Sequence, residues 1–470
     1  MKVLKNVLLL FVGNIGVRVV TVISTILLAR LLGPEDYGVF TIAIAFSSIA
    51  AYITDSGVTA TFIREVNKKH TNVPKLLSSY IKVRTLLSIF VFVISSLFLY
   101  FFYNDNYLKS IIGWILYPMI VGTIFQGAAS AYFQSKEKMG LSSIIVVVQG
   151  GLSATSIFLA IIYKWSLTML APIYGVSYIL SGFISVILLL KFTTIVNGWN
   201  RGLLQQLFAF TLNGIIMMML PQIGPIILEK VATLSTVGYF SVAYKIPSVL
   251  YQIPGVIATA FFPGLFALGN RKDLMQHRHF SSVELRVMSF IGILVSLPFI
   301  MNPKFWIVGL FGEKWALASP ALTILSYVMI LQSINYPLAD YLTTCGQQYK
   351  RVITMMCALV TALTCYTLLG KYFGLIGGAI SPILIELTLL IGFCFYIDNG
   401  FKFLYNGIKY NIVSFLICYL VSRFMPNNFY ILWQIIDVIL FVCIVLILDK
   451  YLLNYIKFNI LNKIKCIFHK

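Results

Sequence analysis

The sequence predicts an all-α polytopic membrane protein of about 14 transmembrane helices, organised as two related halves. Composition is the first reason. Of 470 residues, 59% are hydrophobic and 11% charged, where a soluble protein carries about 25% charged residues. Mean hydropathy is +0.91. The second reason is spacing: apolar runs of about 20 residues, enough to cross a ~30 Å hydrocarbon core, recur along the whole chain. The third is an internal repeat. Gly38, Phe40, Ala43, Ser48, Ile53, Thr59, Ala60 and Phe62 return as Gly238, Phe240, Ala243, Ser248, Ile253, Thr259, Ala260 and Phe262, at one offset of 200 residues and with no gap.

The expected spans are 7–32, 38–63, 86–103, 111–133, 141–163, 167–190, 207–228, 238–269, 287–301, 316–344, 352–370, 372–397, 404–422 and 429–448. The first lacks a small-residue cleavage site and is too long for a signal h-region, so it is expected to stay attached. In Leu32-Gly33-Pro34-Glu35-Asp36-Tyr37-Gly38, Gly33 suits a left-handed helix cap and Pro34 suits a helix start. Glu35 and Asp36 then suit the positive end of the second helix. Spans seven and eight carry helix breakers: Pro221, Gly224 and Pro225, then Pro247, Pro254 and Pro263. Their freed carbonyls call for cavity water or polar partners, and the bends are either moving parts or static kinks. The longest hydrophilic stretches, 64–84 and 270–286, are expected to be cytoplasmic loops.

Equivalent spans lie six apart. Six is even, so the halves share an orientation and the repeat is parallel, with its axis along the membrane normal. The match extends weakly backward through Ile15, Ile26 and Leu28 to Ile215, Ile226 and Leu228, and basic Arg30 aligns with basic Lys230. The expected domains are 1–195, 196–400, a further pair of spans in 401–449, and a tail, 450–470. A polar linker with Gly198, Asn200 and Gly202 joins the halves. The tail alternates Leu, Ile and Phe with Lys450, Lys457, Lys463, Lys465 and Lys470, the pattern of a basic amphipathic helix on an anionic leaflet.

A net charge of +20 can signal nucleic acid, but its distribution argues otherwise. With the N-terminus inside, cytoplasmic loops hold 25 of the 35 Lys and Arg residues, and the opposite loops and span ends hold eight. This is the positive-inside rule, so both termini are expected in the cytoplasm and no nucleic-acid partner is expected. The seven cysteines include no C-x-x-C pair and mostly fall within spans, as small apolar residues do. His70, His277, His279 and His469 are expected in basic solvated loops or the tail, and no metal site or cofactor is expected. Phosphate loops, H-E-x-x-H, D-D-x-x-D-type acidic clusters and G-x-S-x-G are all missing, so the chain does not read as an enzyme.

Titratable residues expected at membrane depth are Arg18, Asp55, Lys245, Asp340, Glu386 and Asp437. A charge at a bilayer centre costs about 2.5–3.5 kcal/mol on insertion scales, which makes each a candidate functional residue. Arg18 and Lys245 come from different halves. Facing a shared central cavity they can clamp one anionic group, Arg by its planar fork and Lys as a point charge. The alternative is structural pairing of Arg18 with Asp55 and of Lys245 with Asp340 or Glu386. Arg30 and Arg64, close to the repeated segment, join the candidate anion-binding set. Asp55, Asp340 and Glu386 are candidates to carry a coupling ion.

The Leu32–Gly38 motif and Val237-Gly238-Tyr239-Phe240-Ser241-Val242-Ala243-Tyr244-Lys245-Ile246-Pro247 resemble the polysaccharide-transport (Wzx-type) branch of the multidrug/oligosaccharidyl-lipid/polysaccharide (MOP) superfamily. Ala29-Arg30-Leu31-Leu32-Gly33 and Ile63-Arg64-Glu65-Val66 resemble its first two spans. The resemblance covers the whole chain. It implies two six-helix bundles around a central cavity, plus two C-terminal helices. It also implies an alternating-access flippase that carries undecaprenyl-diphosphate-linked oligosaccharide, for O-antigen, capsule or another surface polysaccharide, to the outer leaflet. A bacterial cytoplasmic membrane, membrane lipids, and a glycan polymerase with chain-length machinery are the implied setting and partners. Arg18 resembles a cavity arginine of the related lipid II flippases. Gln222-Ile223-Gly224-Pro225 departs from relatives that often place an acid before this aliphatic run.

Rival readings are a lipid II-type or other polyprenyl-lipid flippase, a multidrug exporter of the same superfamily, a membrane glycan polymerase and a non-transporting scaffold. Buried cations disfavour a cationic cargo. A polymerase usually carries a large external loop, and here no external loop exceeds about a dozen residues.

Overall fold

The computed structural model describes residues 2–55, 57–68, 71–204, 207–423 and 430–455; side chains are described from 16 onward, outside 201, 204–213, 216–217 and 423–431. Nearly all of the described chain is helical, and among the described residues no strand forms. The first stretch contains α1 (Lys2–Leu31), α2 (Pro34–Asp55), the short α3 (Val58–Val66), α4 (Val73–Phe102), α5 (Asn106–Ser135), α6 (Met139–Ile162) and α7 (Leu167–Leu190). There follow α8 (Leu207–Val231), α9 (Leu234–Leu250), α10 (Gln252–Asn270), α11 (Leu274–Met301), the short α12 (Pro303–Phe311) and α13 (Ser319–Thr344). Last come α14 (Gln348–Tyr396), α15 (Gly400–Arg423) and α16 (Tyr430–Leu448).

Ten helices among the described residues are long and apolar enough to cross a membrane. Helix α14 has 49 residues, about 74 Å if straight and more than twice a hydrocarbon core. It breaks at Gly374, whose φ of 52° is open to glycine and strained for a residue with a Cβ. Leu86, Ile89, Phe90, Val93 and Leu97 of α4 form an exposed apolar stripe, the face a lipid-embedded helix presents.

Local hydrogen bonds repeat with the sequence. At the α1–α2 turn, Leu32 N donates to Leu28 O (2.9 Å) and Tyr37 N to Gly33 O (3.0 Å). At the α8–α9 turn, Ala232 N donates to Leu228 O (2.8 Å) and Val237 N to Thr233 O (3.1 Å). As expected, Pro34 opens α2 with Glu35 and Asp36 in its first turn, but Gly33 does not take the expected left-handed cap: its φ is not positive, and its carbonyl instead starts the α2 ladder by accepting from Tyr37 N.

Two compact units result, Met1–Ser241 and Val242–Lys470, divided inside α9. In the first, α2 packs on α5 and α8, α5 on α7, and α1 on α6. Its core gathers Val58, Phe62, Leu76, Tyr80, Ala128 and Phe133. Small residues bring backbones close, as they do between membrane helices. Pro118 leaves the Trp114 carbonyl without its helical donor, and Gly175 of α7 lies against that carbonyl, where a Cβ has no room. In the second unit, α11 and α14 pack on α13 and α15 packs on α11. Its core includes Leu285, Leu338, Leu342 and Phe393, with a second cluster of Ile293, Leu297, Phe441 and Val445.

Several expectations need correction. The stretches 64–84 and 270–286 are not long loops: α3 runs to Val66, α4 starts at Val73 and α11 starts at Leu274. Asn72 caps α4 by accepting from Lys75 N (3.2 Å), and Asp273 caps α11 by accepting from Gln276 N (3.0 Å). His277, expected in a solvated loop, is fully buried on α11 and bonds Thr344 Oγ1 through Nε2 at 2.7 Å. Most of the expected amphipathic tail, with His469 and Cys466, lies outside the described residues, as does His70. The six described cysteines are free thiols.

Candidate functional site

In the first unit, charge concentrates where α2 hands over to α3. Gly57 takes φ 72° between them, which lets Asp55 at the end of α2 reach the first turn of α3. Asp55 Oδ1 accepts from Thr59 Oγ1 (2.7 Å) and Thr59 N (3.3 Å), and lies 3.5 Å from Arg84 Nη1. Arg84 Nη1 donates to Tyr80 Oη (2.9 Å) and Nη2 to Thr54 Oγ1 (3.3 Å). Tyr80 Oη lies 2.9 Å from Thr59 Oγ1, which closes the network. Gly127 of α5 makes room for it, since a Cβ there would run into the guanidinium. Arg84 is 4% exposed, and its Nε has no hydrogen-bond partner. Sequence reasoning missed this residue by assigning it to a loop. Its signal was helical spacing: Tyr80, Arg84, Ser88, Val91 and Ser95 fall on one face of α4.

The other cations of this unit sit differently. Arg18 is exposed on α1 and Arg30 is exposed in its last turn. Arg64 bonds Glu65 Oε1 at 2.9 Å and the Gly202 carbonyl at 3.4 Å, in a cluster that Lys68 joins at 2.7 Å from Glu65. Lys230, the repeat partner of Arg30, pairs with Glu229 (3.0 Å), donates to the Phe102 carbonyl (2.8 Å) and sits 3.3 Å from the Tyr103 ring centroid.

In the second unit, Lys245 lies on α9 two residues before Pro247. That proline lacks an N–H and releases the carbonyl of Ala243. Lys245 enters no ion pair among the described residues, so the expected alternative of pairing with Asp340 or Glu386 is not what the structure shows. Glu386, 8% exposed on α14, is held elsewhere: Asn335 Nδ2 donates to its Oε2 (2.8 Å) and its carbonyl (3.0 Å), and Gln332 adds a side-chain bond. Tyr244, Tyr251 and Tyr366 lie within electrostatic range of this carboxyl. Tyr251 stacks on Tyr336 with centroids 5.2 Å apart, which ties the α9–α10 junction to α13.

Asp340 is 7% exposed on α13, with Arg351 its electrostatic partner. Near it lies Glu284 of α11, a second residue that sequence reasoning left in a loop; it is fully buried and neither carboxylate oxygen has a hydrogen-bond partner. Asp437, 3% exposed on α16, also has one oxygen without a partner. Among the described residues no group of three or more His, Cys, Asp or Glu side chains forms a metal site. The arrangement can bind anions at cations and protons or cations at isolated acids.

A family model described as polysaccharide biosynthesis protein matches residues 3–268, more than half of the 470-residue chain. The chain belongs to this family. A putative O-antigen transporter of Shigella flexneri is 26% identical over 410 residues, covering 81% of this chain and 94% of that protein. A probable low-salt glycan biosynthesis flippase, Agl15 of Haloferax volcanii, is 25% identical over 193 residues, 39% of this chain and 40% of that protein. Among solved structures, the lipid II flippase MurJ in an inward closed conformation superimposes with a TM-score of 0.72 at 14% identity, over 95% of this chain and 100% of that one. An inward-facing multidrug resistance MATE transporter of the MOP superfamily gives 0.66 at 15%, over 83% and 95%. At such identities the structures establish the fold alone, an all-helical architecture like that of those two transporters. The matched segment of the polysaccharide biosynthesis family runs from α1 nearly to the end of α10, and so contains the Asp55–Arg84 network and Lys245.

Proposed function

We propose that this chain is a flippase that moves undecaprenyl-diphosphate-linked oligosaccharide units, of an O-antigen, capsule or other surface polysaccharide, from the cytoplasmic to the outer leaflet by alternating access. The observation that carries the reading is Lys245: a cation on a proline-containing helix of a membrane-embedded bundle that enters no ion pair among the described residues. Similarity to a putative O-antigen transporter, over 81% of this chain, supports the cargo class. The physics asks for such a protein. Drawing a diphosphate and several sugars through hydrocarbon strands many polar groups, each at roughly 2–7 kcal/mol. A wet cationic route removes that cost while the prenyl tail stays in lipid.

In this reading Lys245 and Arg18 engage the diphosphate, Arg30 and Arg64 attract it from the ends of their helices, and Asp55, Asp340 and Glu386 are the acids available for ion coupling. Of these Glu386 is the best placed, since Asn335 and Gln332 orient it and three tyrosines lie within electrostatic range of it. Asp55 is committed to Arg84 and serves the α2–α3 junction first. The protein works without a cofactor and catalyses no covalent step, in a bacterial cytoplasmic membrane with both termini inside. A glycan polymerase and its chain-length machinery take over the product. Depleting the protein tests the proposal: lipid-linked glycan accumulates on the cytoplasmic leaflet, and a plasmid copy restores export. Unchanged leaflet distribution after depletion refutes it.

A further inference from the structure

Helices α4 and α5 open a groove of about 750 Å³ on the surface of the first unit. Its origin is local. Gly113 contributes no side chain, and Pro118 breaks the hydrogen-bond ladder one turn further on, so α5 leaves α4 partly uncovered there. Ser110, Trp114, Tyr117 and Val121 fall on one stripe of α5 and form one wall. Leu99 and Tyr100 of α4 face them. Trp114 is 52% exposed, so no protein element fills the space.

Two properties identify the occupant. From Ser110 to Val121 the helix rises about 16 Å, which matches half of a ~30 Å hydrocarbon core, the depth of one leaflet. At the polar end stands Lys109, whose ammonium lies 5.7 Å from the Tyr100 ring centroid and enters no ion pair among the described residues. Asn106 and Ser110 add hydrogen-bonding groups at the same mouth. A leaflet-long apolar slot under one cation and two polar side chains is complementary to an anionic lipid.

We propose that this groove is a binding site for an anionic phospholipid, with one acyl chain between α4 and α5 and the phosphate at Lys109. The cargo's own prenyl chain is the poorer fit, because it is much longer than one leaflet and would overrun the Val121 end. The site goes beyond the transport reading and does not depend on it.

The test is native mass spectrometry on the delipidated full-length protein, with added phosphatidylglycerol, phosphatidylcholine or a polyprenyl phosphate. Wild type retains one phosphatidylglycerol in preference to phosphatidylcholine. Lys109→Gln weakens that retention about fivefold, the worth of one Lys near an anionic lipid surface. Ser110→Trp, which fills the groove and keeps the charge, also weakens it. Lys164→Gln makes the same charge change in the exposed α6–α7 turn and retains lipid as wild type does. Matching unfolding temperatures establish that each variant is folded. Equal retention of the two phospholipids, unchanged retention in Lys109→Gln, or displacement of phosphatidylglycerol by equimolar polyprenyl phosphate overturns the proposal.

Discussion

Thr41 and Ser241, equivalent residues of the internal repeat and 200 positions apart, share a hydrogen bond with their hydroxyl oxygens 3.0 Å from each other. One turn earlier the repeat partners Gly38 and Gly238 also meet. A Cβ on Gly38 would enter the carbonyl oxygen of Leu234, and one on Gly238 would enter that of Pro34. The duplicated segment thus packs on its own copy where α2 meets the start of α9, and only hydrogen atoms fit between the backbones. This close approach accounts for glycine at both positions.

Gly38→Ala and Gly238→Ala are each expected to destabilise the protein by roughly 1–3 kcal/mol, because the blocking atoms are backbone and cannot swing away. Thermal unfolding in detergent checks this. Thr41→Val, which keeps the shape and removes one hydroxyl, is expected to cost about 1 kcal/mol.

The Asp55–Arg84 pair predicts an asymmetry. Asp55→Asn leaves a buried guanidinium without its carboxylate, and breaking a buried pair in this way costs about 3–5 kcal/mol. Arg84→Gln leaves Asp55, which is 26% exposed and still bonded to Thr59, so the loss is smaller. Gly127→Ala disturbs the same network by displacing the guanidinium. Unfolding measurements on the three variants give the order; a larger loss from Arg84→Gln than from Asp55→Asn contradicts it.

How far these sites were legible in the sequence differs residue by residue. The start of α2 at Pro34 was legible because the proline and the acidic first turn both favour a helix N-terminus there, whereas the left-handed cap expected at Gly33 does not form. The break in α14 was legible approximately: the expected boundary at 370–372 lies a few residues before Gly374, where the chain turns. Arg84, His277 and Glu284 were not found. Hydropathy ends a span where charges cluster, whereas a helix continues as long as its backbone bonds and its buried face persist. α4 therefore starts at Val73, more than two turns before the apolar run. The α12 helix (Pro303–Phe311) was absorbed into a loop because nine residues are too few for a span. That Lys245 enters no ion pair among the described residues was beyond the sequence, since pairing depends on which faces of α13 and α14 turn toward α9.

The potential across the membrane offers a separate prediction. With the interior negative, net outward transfer of each negative charge gains about 2.3 kcal/mol per 100 mV. Flipping is expected to slow when the potential is collapsed while the pH gradient and later glycan consumption are held fixed. An unchanged rate removes potential from the mechanism.

The most direct test of the central claim is translocation of a polyprenyl-diphosphate-linked oligosaccharide in proteoliposomes by wild type, Lys245→Arg and Lys245→Ala, at matched protein content and unfolding temperature. Losing one charge-assisted contact of about 1.5–3 kcal/mol predicts a roughly ten- to hundredfold lower rate for Lys245→Ala, with Lys245→Arg keeping most of the activity. Wild-type rates in Lys245→Ala would contradict a cationic route for the diphosphate.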